Sequence, residues 1–185
     1  MEVSNYYDVM IDVETTGTDS SHSAMIQLAA VKFNLAERKI DTGSMFNRCL
    51  RIPPNRFWSE DTRQWWGQQK RSVLDGIYAN MEDPHTVMTD FATWSGYSPE
   101  QPLRFWAKPT SFDFNFVASY FNQYEIMNPY HFRFATDMNS FIRGMARDSS
   151  VPTFKNDEFV GDAHNALHDV INQIDTLFKA VDHYK

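Results

Sequence analysis

Asp12 and Glu14 stand two residues apart at the end of an apolar run, Tyr-Tyr-Asp-Val-Met-Ile-Asp-Val over 6–13, and Thr15, Thr16 and Gly17 follow at once. Side chains two apart on a strand share a face, so both carboxylates can reach one volume the size of a metal ion. Acids rarely end a buried strand unless they are paired or metal-bound, although a solvated pair of surface acids would also account for this motif alone. Asp113, within Ser111-Phe112-Asp113-Phe114, falls in the first turn of a helix. A carboxylate there also suits the helix dipole, and in isolation capping is the simpler account. His164 and Asp169 open a long amphipathic segment that runs to about Val181. Five residues on a helix turn through about 140°, so these two share a site only if His164 lies at a frayed start or in the preceding loop, with Asp162 as the expected cap. A loop histidine beside a helical aspartate suits a proton shuttle next to a metal ligand. On its own, the His164/His168 spacing reads as a surface histidine pair.

The elements that must position these groups follow from periodicity and turn chemistry. A first strand is expected over 6–12, and two further strands over 24–35 and 44–52 complete a three-strand meander. The polar stretch Ala-Glu-Arg-Lys-Ile-Asp-Thr-Gly separates the last two. A short capped helical turn covers 61–66. Asp83 and Pro84 supply an N-cap and a first-turn proline for a helix to Ser95, with Val87, Phe91 and Trp94 at helical spacing. A fourth strand is expected over 103–107. Ser111 is the expected cap of the next helix, which carries Phe112, Phe116 and Tyr120, and a fifth strand covers 132–135. Two helices close the chain. That order matches a mixed five-stranded sheet flanked by helices, the RNase H-like α/β arrangement, with carboxylates at its strand ends. Neither a repeat nor a linker interrupts it, so a single domain over 1–185 is expected.

Taken in order, Ile11-Asp12-Val13-Glu14-Thr15-Thr16-Gly17, Ser111-Phe112-Asp113 and His164-x-Ala166-x-x-Asp169 resemble the three exonuclease motifs of the DEDD family, histidine subgroup. The Trp65-Trp66 pair and Phe112-Asp113 after a strand containing Trp106 are most similar to a smaller branch, the phage exonuclease A type and related bacterial exoribonucleases. The resemblance implies a 3′→5′ exonuclease in which Asp12, Glu14, Asp113 and Asp169 hold two divalent cations, Mg²⁺ or Mn²⁺, and His164 is the general base. It also implies single-stranded DNA or RNA 3′ ends as substrate, with DNA slightly favoured, and a homodimer among the assembly states, since family members commonly dimerise. Thr15, Thr16, Gly17, Trp65, Trp66 and Phe112 are the candidate substrate contacts. Adjacent on a helical turn, Trp65 and Trp66 cannot both face one core. One ring is expected inside, and the other is free to stack on a terminal base, worth about 1–3 kcal/mol. Trp94 and Trp106 are assigned to the core.

Composition narrows the field without choosing within it. One cysteine, Cys49, excludes an intrachain disulfide and a cysteine-rich zinc site, and no segment reads as a leader or a membrane span. A cytoplasmic protein is expected. The net charge of −7 argues against tight duplex binding, because phosphate-binding surfaces are usually basic. Arg48, Arg51, Arg56, Arg63, Lys70, Arg71 and Lys108 are scattered, so affinity for long nucleic acid is expected to be low. Two other classes fit the same fold: a silent nuclease-like binding module, disfavoured by the intact carboxylate set, and an RNase H-type endonuclease or polynucleotidyl transferase, disfavoured by His164 and the Asp12-x-Glu14 pair.

Overall fold

The computed structural model describes residues 6–96, 100, 102–154 and 158–185. Its sheet is built from β1 (Asp8–Thr15), β2 (Met25–Asn34), β3 (Lys39–Leu50), β4 (Met81–Glu82), β5 (Arg104–Ala107) and β6 (Ala135–Asp137), in the order β4-β3-β2-β1-β5-β6. The first three strands form the expected antiparallel meander, while β5 and β6 run parallel to β1 and β4 runs parallel to β3. The sheet thus has six strands where five were expected. Two residues of β4 hold too little pattern to be read from sequence.

Among the described residues, six helices flank this sheet: α1 (Glu60–Trp66), α2 (Arg71–Ala79), α3 (Pro84–Ser95), α4 (Thr110–Gln123), α5 (Met138–Ala146) and α6 (Ala166–His183). Alternation along β1 splits the core. Val9, Ile11 and Val13 pack with Val87 and Phe91 of α3 and Phe116 and Tyr120 of α4. Met10 packs on the other face with Val170, Ile174 and Leu177 of α6. Asp12 and Glu14 continue the Met10 side and therefore face α6.

Several boundaries differ from the pattern. β3 begins at Lys39, inside the stretch read as a separator, because the chain reverses tightly at Arg38, whose φ is +55°. Helix α2 escaped notice because it carries Gly76, lacks a side-chain cap and buries only Val73 and Ile77. Ser111 is not the cap of α4. That helix starts at Thr110, whose N–H is received by the Asp137 carboxylate (3.1 Å) across the sheet, and Asp137 also caps α5 through Ser140 N–H (2.8 Å). The strand expected over 132–135 is displaced to Ala135–Asp137, since Phe132–Phe134 form a single 3-10 turn with Phe132 exposed. Helix α3 matches its expected span and its Asp83 cap, which accepts Thr86 N–H at 3.0 Å. Trp106 is buried as expected and Trp94 packs at the margin of the core.

Phe91 is fully buried, with the rings of Phe46, Trp94, Phe121 and Tyr130 at 4.9–6.1 Å. Phe91→Ala is expected to cost about 3–5 kcal/mol in urea unfolding. Phe132→Ala, at a position 65% exposed, should stay within about 0.5 kcal/mol. Equal losses in the two variants would contradict this packing.

Candidate active site

Three elements deliver the acids to one place. β1 brings Asp12 and Glu14, the first turn of α4 brings Asp113, and the first turn of α6 brings Asp169. The Asp113 carboxylate crosses from the opposite layer and accepts the Val13 N–H at 3.0 Å, directly between the two acids of β1. Helix α4 is held in that place farther along, where the Tyr120 hydroxyl accepts Met25 N–H at 2.9 Å. All four carboxylates line a cleft of about 640 Å³, with His164, Lys108, Phe112 and Gln173 around them. His164 lies in the loop before α6, as the spacing requires, with φ at +63°. Its ring nitrogen and the carboxylate oxygens of Glu14 and Asp169 all fall within 4.8 Å of one another. The cap of α6 is Asn165 and not Asp162, which pairs instead with Lys70 at 2.5 Å.

Such crowding is electrostatically costly. Burial and the neighbouring Asp113, Glu14 and Asp169 push the Asp12 carboxyl well above its ordinary range. Burial, then Asp169 and Asp113, do the same to Glu14. Burial alone carries Asp113 up to about 7 against the pull of the Val13 N–H. Asp169 is raised less, because the His164 ring and backbone offset its burial. Gln173 donates to Asp12 Oδ1 (2.8 Å), while its own Oε1 is buried with no partner among the described residues. Hard oxygen donors, mutual repulsion and an orphaned acceptor in one cleft fit a hard divalent cation.

The aromatic helix is tied to the backbone just past Glu14. Trp66 is 3% exposed and donates its indole N–H to the Thr15 carbonyl at 3.1 Å, and Ser59 N–H reaches the Thr16 carbonyl at 2.8 Å. Trp65, 39% exposed, is the free ring of the pair. It meets the His164 imidazole edge-on at 4.7 Å, which gives it a contact that sequence reasoning did not foresee. Between Trp65 and Phe112 lies an apolar slot of about 470 Å³, also lined by Glu14, Thr15, Gly17 and Asp61. Thr16, by contrast, is fully buried. Its hydroxyl donates to Phe57 O and accepts Ala24 N–H, both at 2.7 Å, so its side chain serves the scaffold and not a substrate. Trp66 is likewise a core ring. Gly17 is required by close approach, since a Cβ there would sit 2.2 Å from Ser23 Oγ and 3.1 Å from Ser59 Cβ.

The scattered basic residues also sort themselves. Arg48 pairs with Glu82 and Asp90, Arg51 with Asp83, Arg63 with Glu60, Lys70 with Asp162 and Arg71 with Asp75. Arg56 is buried over the Tyr120 ring. Lys108 alone among them lines the acidic cleft. Gln173 and Asn172 were missed by sequence reasoning. Their signal was available: they fall three and four residues after Asp169, on its own helical face.

Residues 7–180 match the sequence model of a family described as the 3′-5′ exoribonuclease Rv2179c-like domain. No curated protein matches the chain by sequence. Among solved structures, cell-death related nuclease 4 (CRN-4) superposes with a TM-score of 0.65 at 18% identity, over 95% of this chain and 64% of that one. S. pombe Pop2p in its Mg²⁺ and Mn²⁺ bound form gives 0.69 at 11%, over 97% and 84%. E. coli Exonuclease I in complex with a dA16 oligonucleotide gives 0.68 at 16%, over 95% and 42%. The chain therefore spans less than two thirds of CRN-4 and less than half of Exonuclease I. These likenesses establish the RNase H-like exonuclease fold. Among the described residues, no helix is long and apolar enough to cross a membrane.

The metal-free protein should reveal the strain of this cleft. Folded Asp113 keeps its proton up to about pH 7, whereas the unfolded chain releases it near 3.8, so the stability it contributes is lost as pH rises between those values. Chelator-treated protein should melt higher at pH 5 than at pH 8, and Asp113→Asn should reduce the dependence, the raised Asp12 and Glu14 carboxyls carrying the remainder. Added Mn²⁺ should raise the melting temperature at pH 8 in wild type far more than in Asp113→Asn. A melting temperature indifferent to Mn²⁺ would count against the cation site.

Proposed function

The chain belongs to the family of 3′-5′ exoribonuclease Rv2179c-like domains, and on that footing we propose that it is a metal-dependent 3′→5′ exonuclease acting on single-stranded nucleic acid and releasing nucleoside 5′-monophosphates. The observation that carries the reading is the convergence of Asp12, Glu14, Asp113 and Asp169 with His164 in one cleft. In this reading the four carboxylates hold two divalent cations, Mg²⁺ or Mn²⁺, and His164 assigns the chain to the histidine subgroup. Bound there, the cations would supply a nucleophilic water and stabilise the leaving 3′ oxygen of an in-line displacement.

The chain's own groups do the rest. A ring nitrogen of His164 takes the proton of the attacking water, and its loop position lets it approach while Glu14 and Asp169 stay fixed. Gln173 orients Asp12 through its 2.8 Å bond. The Lys108 ammonium offers a counter-charge for a backbone phosphate at the mouth of the cleft. The slot between Trp65 and Phe112 takes the terminal base by stacking, which serves any sequence. The family's description names RNA, and Exonuclease I was solved with a DNA oligonucleotide, so matched DNA and RNA strands belong in the same assay.

An end-labelled single strand with Mg²⁺ or Mn²⁺ should shorten stepwise from its 3′ end and stay intact in excess chelator. Internal cuts would favour an endonuclease, and no cutting would favour a binding module. His164→Ala should lower kcat by about 10²–10⁴-fold while calorimetric Mn²⁺ affinity stays near wild type. Loss of that affinity would make His164 a ligand instead of a base. Trp65→Ala should raise KM through lost stacking and also lower kcat, because the same ring bears on His164. A change in KM alone would leave Trp65 a stacking platform only.

A further inference from the structure

His164 sits in a segment whose backbone is fastened to α6. Two residues of that helix hold it. Asn172, itself buried, accepts Val160 N–H at Oδ1 (2.9 Å) and donates from Nδ2 to the carbonyls of Val160 (2.9 Å) and His168 (2.7 Å). Its amide therefore pairs with Val160 as a neighbouring strand would. His168 Nδ1 accepts the Asp162 N–H at 2.9 Å, which fixes the tautomer with the proton on Nε2. Between these two anchors the chain runs flat against the imidazole. Gly161 has φ at +103°, and a Cβ there would lie 2.6 Å from His168 Cγ and Nδ1. The outer side is closed by the Lys70–Asp162 ion pair. The first turns of α6 thus do two jobs: Asp169 and Gln173 face the carboxylate cluster, while His168 and Asn172, the latter also at the lining of the cleft, grip the loop.

We propose that His168 and Asn172 are positioning residues of the nuclease site, which set the His164 imidazole beside Glu14 and Asp169 by clamping residues 160 and 162 to α6. The proposal rests on the exonuclease reading above and adds two residues to it. Neither side chain needs to touch substrate. What they control is placement, and a misplacement of about 1 Å can cost about 10²-fold in rate.

The test pairs activity with a measurement that needs no substrate. Asn172→Ala and His168→Ala should each lower kcat by about 10²-fold, with KM and calorimetric Mn²⁺ affinity within about twofold of wild type. His168→Asn, which keeps an acceptor near the Nδ1 position, should recover most of the loss. In the metal-free proteins, hydrogen exchange should quicken at the amides of Val160 and Asp162 in the alanine variants while the interior of α6 stays protected. If one alanine variant fails to fold, the other tests the same clamp from its second anchor. Wild-type protein without nuclease activity would defeat the exonuclease reading, and the exchange data would still report on the clamp. Faster exchange with kcat intact would reduce the clamp to a structural role and overturn the proposal. Unchanged exchange in both alanine variants would show that no clamp exists.

Discussion

Four carboxylates share one cleft, Glu14 and Asp113 buried and Asp12 and Asp169 half-buried, close enough for their charges to oppose one another. Left to themselves they would repel one another, so the surrounding structure has to hold them in place. Hydrogen bonding to neutral groups does this: Val13 N–H to Asp113 and Gln173 to Asp12. The backbone of β1 supplies the first of these bonds. One strand therefore presents two acids with its side chains and binds a third with its main chain, which is why the sheet centre, and not a surface loop, is where the cluster can exist.

The same strand organises the aromatic wall. The carbonyls of Thr15 and Thr16, just past Glu14, receive Trp66 and Ser59, so α1 is hung from the acids' own backbone and cannot drift from them. Trp65 then lies against His164, and His164 reaches back toward Glu14. A closed circuit of contacts runs from β1 through α1 to the loop before α6, and each member limits the freedom of the next.

The parts of this arrangement that were legible in the sequence are those with charge or strict periodicity. Asp12 and Glu14 two apart, Asp113 in a first turn and Asp169 at a helix start each carried a local signal, and Asp83-Pro84 marked α3 to the residue. What could not be read depends on partners far away in the chain. Asp137 caps α4 from another strand, so Ser111 looked like the better cap. Helix α2 is amphipathic, with Val73 and Ile77 on its buried edge, but it is nine residues long, has no side-chain cap and carries Gly76, so nothing marked its start. Asn172 and Gln173 are uncharged amides, unremarked until their spacing from Asp169 is placed on a helix. His168 looked like one half of a surface pair because nothing local reveals that its imidazole receives a backbone N–H six residues upstream.

The pairing of the basic side chains with the protein's own acids has a consequence for how the molecule would travel on a strand. Cations paired with Glu82, Asp90, Asp83, Asp162 and Asp75 would have to give up those partners to reach a polyanion, which lowers the net gain from ion release. On the proposed reading, Lys108 in the cleft lining and one stacked base would then carry most of the grip. An exonuclease held mainly at its last nucleotide would, on that reading, let go after each cut, trimming many ends a little and no single end far, and its pace would change only shallowly with ionic strength.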